Sequence, residues 1–228
     1  MPKVYEALVL DEAGSRVRLE NKRLPQGVLL LLKELYRENF VNRNLIKKPS
    51  FDRKFVFFPL HMEMEQYPLI TAPFYTNQIE VIKQIAKSLP IGYNLYVKEH
   101  PSQKLRAWRS IQQYREIMKI PNVTVIHPSY PSTTLIQNCA LAMSISGSIG
   151  FEAALYEKPT ILFTDLHYSF LPNIFRMKSF ENLPQLIKKA IDAKFSNDLL
   201  EKYLLYIEQN SFDFDYQNFL LDVENNFH

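Results

Sequence analysis

Residues 141–163, LAMSISGSIGFEAALYEKPTILF, constrain the fold more than any other segment of the chain. An apolar run ends in a Ser-Gly-Ser turn, an amphipathic segment follows at once, and a second apolar run comes after Glu157-Lys158-Pro159. This order predicts a strand, a tight turn, a helix and another strand, which together make half of a βαβ arrangement. Such a turn presents backbone N–H groups at the N-terminus of a helix, where the helix dipole stabilises an anion such as a phosphate.

Two interpretations of this turn are open. In the first, Gly147 and Gly150 let a ligand approach the backbone, and Glu152 faces the same crevice from the first turn of the helix. That arrangement suits a nucleotide, which presents phosphate and ribose together. In the second, Ser146 or Ser148 is an ordinary N-cap and Glu152 only interacts with the helix dipole. The turn alone favours the cap, so the choice depends on the residues that follow the other strands.

Apolar runs and helical periodicities alternate from residue 54 onward, with helices predicted at 77–89, 106–118 and 133–138. Strands separated by helices of this length predict a parallel sheet covered on both faces. We therefore expect an α/β fold, a doubly wound Rossmann-like domain of about five strands over residues 51–195. The predicted strands are Phe55–Phe58, Tyr93–Val97, Val123–Ile126, Leu141–Ile145 and Thr160–Phe163.

The two ends of the chain differ from this central part. Residues 1–50 are rich in Lys, Arg and Asn, with a predicted strand at Val4–Leu10, a helix near 26–40 and a linker at 47–50. We interpret them as an N-terminal extension. Residues from 183 to about 227 read as helices interrupted near 195–197 and 210–211, so 196–228 are predicted to form a C-terminal helical tail.

Composition excludes several classes of protein. A hydrophobic fraction of 46% with 22% charged residues is typical of a globular protein. The net charge of +3 comes from scattered basic residues, which argues against a dedicated nucleic-acid-binding protein. The single cysteine, Cys139, excludes an internal disulfide, fits a reducing compartment and reads as a small core residue.

Neither a membrane span nor a secretion signal is evident in the sequence. No stretch approaches about 20 consecutive apolar residues, and the first residues lack a basic segment followed by an apolar core. We therefore expect a cytoplasmic protein. The chain has 30 aromatic residues, and some of them could lie on the surface and bind the inner face of the cytoplasmic membrane or a partner.

Four of the five histidines lie within four residues after the end of a predicted strand. Since ligands of parallel sheets bind at the carboxyl ends of the strands, we expect one shared binding crevice there. The four are His61, His100, His127 and His167.

Three common chemistries find no support in the sequence. The short spacings of zinc ligands are absent, so no metal is expected. The Gly-x-Ser-x-Gly elbow of serine hydrolases is absent, and so is the lysine-bearing phosphate loop of nucleoside triphosphatases.

Four segments carry a family resemblance: FVFFPLHMEMEQYP, YTNQIEVIKQIAKSLPIGYNLYVKEHP, PNVTVIHP and SISGSIGFEAALYEKPTILF. In this order they resemble capsule polysaccharide biosynthesis proteins, over roughly residues 52–170. They look like the donor-binding, C-terminal-type half of GT-B glycosyltransferases, including Kdo transferases and bacterial sialyltransferases that use CMP-activated sugars. The resemblance implies a nucleotide-sugar donor, with CMP-Kdo or CMP-sialic acid favoured, an oligosaccharide or glycolipid acceptor, and no separate cofactor.

The same resemblance implies roles for individual residues. His100 of the His-Pro pair and the hydroxyls of Ser146 and Ser148 would contact the phosphate, and Glu152 the ribose. Two carboxylates, Glu63 and Glu65, are candidate catalytic residues, because Glu-Met-Glu stands where the family usually has Gln-Pro-Glu. The remaining predicted donor-site residues are His61, Lys98, Pro101 and Gly147.

Length departs from the family pattern, because only about 50 residues precede the donor-type domain. By the resemblance these residues are a remnant of an acceptor-side domain, and three alternatives are open: a divergent single-domain member, a subunit whose partner supplies the acceptor domain, or a fragment of a split gene. Whether the chain is a complete enzyme therefore stays open. The alternatives are a UDP-sugar 2-epimerase-like enzyme and a non-catalytic subunit of a polysaccharide assembly complex.

Overall fold

A computed structural model describes residues 9–10, 16–17, 24–62, 72–106 and 108–212. The chain forms two compact units, Met1–Phe195 and Ser196–His228. The first unit contains a short antiparallel pair, β1 (Val9–Leu10) and β2 (Arg16–Val17), and a six-stranded parallel sheet. In the second unit, the described residues form one helix, α7 (Asp198–Asn210).

The parallel sheet has the order β5-β4-β3-β6-β7-β8. The five predicted strands are all present, each within one residue of its predicted start. A sixth, β8, was not predicted, because it is only three residues long and half-buried at the sheet edge. The strands are β3 (Phe55–Pro59), β4 (Asn94–Lys98), β5 (Val123–Ile126), β6 (Leu141–Ser144), β7 (Thr160–Leu162) and β8 (Ile174–Arg176).

The helices of the first unit lie between or beside these strands. The helix predicted at 106–118 begins only at Ile111, because Ser110 and Gln113 form a capping box there and Pro101–Arg106 form a 3-10 helix. A further 3-10 turn spans Pro73–Tyr75. The α-helices are α1 (Leu24–Asn44), α2 (Gln78–Ser88), α3 (Ile111–Met118), α4 (Ser132–Asn138), α5 (Ile149–Leu155) and α6 (Leu183–Asp192).

Both faces of the sheet are covered by apolar side chains, as a doubly wound fold requires. Successive residues of β3 alternate between the two core clusters, with Val56 and Phe58 in one and Phe55 and Phe57 in the other. The first cluster also contains residues from α1, α2, α3 and α6, whereas the second contains residues from α4 and α5. The parallel, doubly wound prediction is therefore confirmed, with six strands instead of about five.

One further sequence prediction concerns the core, namely that Cys139 is buried. Cys139 is buried in the second cluster, and burial raises the pKa of its thiol to about 12, so its assignment as a core residue is confirmed.

Val41 and Leu45 of the N-terminal region are buried in the first cluster. The division predicted at residue 50 stays a prediction. No helix in the described part of the chain is long and apolar enough to cross a membrane.

Candidate functional site

The strand order places a crevice between β3 and β6. From β3 the chain first adds β4 and β5 on one side, then returns and adds β6, β7 and β8 on the other. In doubly wound sheets the ligand binds outside the carboxyl ends of the strands at the point where this order reverses. The segments that leave β3 and β6 here are those of His61 and of the Ser-Gly-Ser turn.

His61 lies against the Ser-Gly-Ser turn. The Ser146 N–H donates to His61 Nε2 at 3.4 Å, and His61 Cε1 is 3.7 Å from the point that a Cβ on Gly147 would occupy. Burial and the nearby charges of His100 and Arg109 lower the pKa of His61 to about 4. His61 is therefore a neutral acceptor at physiological pH, with its own proton on Nδ1.

Two buried side chains donate hydrogen bonds to backbone carbonyl groups in and next to the Ser-Gly-Ser turn. Thr164 Oγ1 donates to the Ile145 carbonyl at 2.6 Å, and the Tyr168 hydroxyl donates to the carbonyl of Gly147. Gly147 has φ of +94°, a left-handed conformation that favours glycine. The turn is thus fixed by side chains that lie deeper in the fold.

The hydrogen bond expected from an ordinary N-cap is not made at α5. Ser148 is the N-cap residue, but its side chain caps no backbone N–H. Its hydroxyl instead donates to Glu152 Oε1 at 2.6 Å. The predicted phosphate and ribose ligands on this helix therefore contact each other.

Gly150 does not provide open space for a ligand, which corrects the sequence expectation. A Cβ at this position would lie 2.8 Å from Tyr168 Cε2 and 3.2 Å from Leu162 Cδ2. The missing side chain thus makes room for the buried Tyr168 ring. Gly147 alone keeps the predicted proximity to the crevice.

Lys98, at the end of β4, is a buried cation. It is only 3% exposed, and its Nζ donates to Ser132 Oγ at 2.9 Å. Burial lowers its pKa, and the carboxylates of Glu99 and Glu152 oppose that shift. Lys98 therefore contributes positive charge close to Glu152.

His100, two residues beyond β4, has a fixed ring orientation. The Ser102 N–H donates to His100 Nδ1 at 3.1 Å, which in the neutral ring leaves the proton on Nε2. Glu99 Oε1 accepts the His100 backbone N–H at 2.7 Å. The following Pro101 is exposed and begins the 3-10 helix.

The other two histidines of the predicted crevice make different contacts. His127 is buried, with Nε2 3.2 Å from Asn42 Oδ1 and Nδ1 2.6 Å from Ser129 Oγ. Burial and the charges of Lys47 and Lys98 lower its pKa. His167 is exposed and packs edge-on against Tyr168. Of the four predicted histidines, His61 thus lies against the Ser-Gly-Ser turn, and His100 lies close enough to lower the pKa of His61.

The predicted catalytic carboxylates, Glu63 and Glu65, lie outside the described residues, and their roles stay predictions. Within the described ranges, no group of three or more His, Cys, Asp or Glu side chains could hold a metal ion. Sequence reasoning missed Gln78 and Arg109, which bind the main chain of His61. Gln78 is the first residue of α2 and Arg109 lies in the loop before α3, and neither stands in a pattern that by itself indicates a contact with His61.

A family model described as capsule polysaccharide biosynthesis protein matches residues 45–173, more than half of the chain. The chain belongs to this family. The resemblance seen in the sequence is thereby confirmed, and the match contains every described residue of the crevice.

Solved structures match the chain at low sequence identity. The UDP-GlcNAc 2-epimerase from Methanocaldococcus jannaschii matches with a TM-score of 0.50 and 16% identity, over 80% of this chain and 52% of that one. The beta Kdo 2,7 transferase KpsC from Thermosulfurimonas dismutans matches with a TM-score of 0.46 and 16% identity, over 78% and 59% of the two chains. The chain thus spans between half and three fifths of these proteins. The α/β Rossmann-like fold is confirmed by the first of them.

One short sequence match lies outside this family. It covers 44 residues, 19% of this chain, and 5% of an ATP-dependent Clp protease ATP-binding subunit ClpA homolog from Trieres chinensis. The two sequences are 59% identical over these residues. A segment of that length carries no information on the crevice.

Proposed function

We propose that the chain binds a nucleotide-sugar donor in the crevice between β3 and β6, for glycosyl transfer in capsule or surface polysaccharide synthesis. One observation carries the proposal: His61 and the Ser-Gly-Ser turn meet where the strand order reverses. Membership of the capsule polysaccharide biosynthesis family supports the biological setting.

The donor phosphate would lie between His100 and the turn. His100 Nε2–H would donate to it, together with the Ser146 and Ser148 hydroxyls and the backbone of Gly147. Lys98 would add positive charge as negative charge develops on the leaving phosphate. Glu152 would accept the ribose hydroxyls once Ser148 turns its hydroxyl from the carboxylate to the phosphate.

CMP-Kdo is the donor that we favour, followed by CMP-sialic acid and then UDP-sugars. The order rests on the family resemblance of the His-Pro and Ser-Gly-Ser segments. A UDP-sugar 2-epimerase-like activity is the second candidate, because the fold is shared with an epimerase and does not separate the two reactions.

Transfer needs more than a donor site. An acceptor hydroxyl must be held in line with the anomeric carbon, and a base must lie within hydrogen-bond reach of it. We propose an oligosaccharide or glycolipid acceptor held by a further domain or partner subunit, with Glu63 or Glu65 as the base. If the chain binds the donor but transfers no sugar even together with such a domain or partner subunit, its role is that of a non-catalytic subunit in a polysaccharide assembly complex.

Calorimetric titration tests the donor site. CMP or a CMP-sugar should bind more tightly than ATP or NAD. His100→Ala should weaken CMP binding by about 1.5–3 kcal/mol, the range for a hydrogen bond to a charged group. His167→Ala, an exposed histidine near the same edge, is the matched control and should bind CMP like the wild type. Unchanged affinity in a folded His100→Ala protein would refute the assignment, and product analysis with UDP-GlcNAc separates epimerisation from transfer.

A further inference from the structure

A buried ion pair adjoins the backbone of His100, one of the proposed phosphate ligands. Glu99 is 0% exposed and Arg109 is 4% exposed, with Arg109 Nε 2.8 Å from Glu99 Oε2. The same Oε2 accepts the Tyr114 hydroxyl at 2.7 Å, and Oε1 accepts the His100 backbone N–H at 2.7 Å. The Glu99 carboxylate thus accepts three hydrogen bonds. One of them comes from the backbone N–H of His100, which is predicted to bind the phosphate of the nucleotide sugar.

The guanidinium of Arg109 also contacts His61, the other histidine predicted to bind the nucleotide sugar. Arg109 Nη2 donates to the backbone carbonyl of His61. Gln78 binds both sides of the same residue, accepting the His61 N–H at 2.8 Å and donating to its carbonyl at 3.0 Å. The Arg109 guanidinium therefore connects the main chain after β3 with the Glu99 carboxylate, which in turn binds the main chain after β4.

Stability does not require charged groups at this place. Desolvation of a buried ion pair offsets most of its Coulombic gain, and well-packed apolar residues of similar volume often serve equally well. What an apolar pair would not provide is directional bonding to two separate loops. The planar guanidinium holds its donors in a fixed fork, so its two contacts also fix the distance between them.

We propose that Arg109 and Glu99 form a positioning pair that sets the spacing of His61 and His100 across the crevice for binding of the donor phosphate. The inference rests on the proposed function for its ligand, but the spacing itself is a property of the ligand-free protein. Neither residue of the pair needs to touch the donor.

Arg109→Lys is the sharpest test. Lysine keeps the positive charge but not the fork, so it cannot reach Glu99 and the His61 carbonyl together. We expect the dissociation constant for CMP to rise by about tenfold, the lower end of the range for supporting hydrogen-bond partners. The ring resonances of both His61 and His100 should shift or broaden in NMR spectra of the ligand-free protein. The pKa of His61 should stay low, because the nearby charge is retained.

Two further variants isolate the effect. Gln78→Leu removes contacts to His61 alone, so only the His61 resonance should move. Lys83→Met breaks the exposed Lys83–Glu116 pair, which also joins α2 to α3 but lies away from the crevice, and should move neither resonance. If Arg109→Lys does not fold, Tyr114→Phe removes one donor from Glu99 with little change of volume and should shift the His100 resonance.

The outcomes separate this inference from the proposed function. Lower thermal stability in Arg109→Lys, with both histidine resonances and the CMP affinity unchanged, would overturn the positioning role. If the wild-type protein binds neither CMP nor a UDP-sugar, the proposed function fails, and the histidine resonances of the variants measured without nucleotide still decide whether Arg109 couples the two loops.

Discussion

Substitution of Gly150 by alanine tests how the turn is supported. A Cβ at this position would lie 2.8 Å from Tyr168 Cε2 and 3.0 Å from its hydroxyl oxygen, both well inside normal contact. Tyr168 is 1% exposed, and its hydroxyl donates to the Gly147 carbonyl. The ring therefore cannot move away without breaking a contact that holds the turn.

The expected cost follows from three contributions. Overpacking a filled core costs about 1–3 kcal/mol, and loss of the tyrosine hydrogen bond costs about 0.5–1.5 kcal/mol. Alanine in place of glycine within a helix returns about 0.5–1 kcal/mol. We expect Gly150→Ala to lower the free energy of unfolding by about 0.5–4 kcal/mol, and the melting temperature by about 2–4 °C for each kcal/mol.

Urea unfolding and scanning calorimetry measure this cost, and CMP titration measures its effect on the turn. Tyr168→Leu is itself destabilising, but it removes the ring that the new methyl group meets. The double variant should therefore lose less stability than the sum of the single variants, by about 1–2 kcal/mol of coupling. Gly92→Ala is the control, since Gly92 has φ of +87° and nothing within 4 Å of the added Cβ, so its cost should not couple to Tyr168. A Gly150→Ala protein as stable as the wild type, or strictly additive costs, would contradict the packing argument.

Three further predictions concern the crevice. Glu152→Gln should weaken nucleoside binding by about tenfold or more while the melting temperature changes little, as expected of a ribose ligand; a lower melting temperature with unchanged CMP affinity would instead indicate a helix-dipole role. The pKa of His61 is lowered from 6.5 to about 4, so the unfolded state binds more protons between these values, and stability present above pH 6.5 is lost as the pH falls towards 4. Urea unfolding at pH 7 and pH 4.5 should show a loss on the order of 3 kcal/mol at most, and a smaller loss in His61→Gln. The purified chain should bind a nucleotide sugar but transfer little of it to oligosaccharides; robust transfer that is abolished by Glu63→Gln or Glu65→Gln would make it a complete single-domain enzyme.

Local pattern was sufficient to predict most elements of the sheet. The apolar run of β3 and the helical spacing of α2 are strong periodic signals, because a strand buried on both faces and an amphipathic helix each need a distinct distribution of apolar residues. The Ser-Gly-Ser turn and the His-Pro pair identified the carboxyl edge for the same reason, since both directly follow such runs. A three-residue edge strand such as β8 leaves too little of this pattern, which is why it was missed.

Contacts between distant parts of the chain could not be derived in this way. The sequence does not specify which strands neighbour each other, so the reversal between β3 and β6 is visible only in the folded sheet. The same holds for the bond from Arg109 to the His61 carbonyl, across 48 positions of sequence, and for the Tyr168 ring that fills the space above Gly150. The sequence by itself determined most of the elements and which polar residues stand at their ends, because periodicity and turn residues act locally. Only the tertiary structure decided which of those ends meet, because that depends on side chains brought together by packing of the whole sheet.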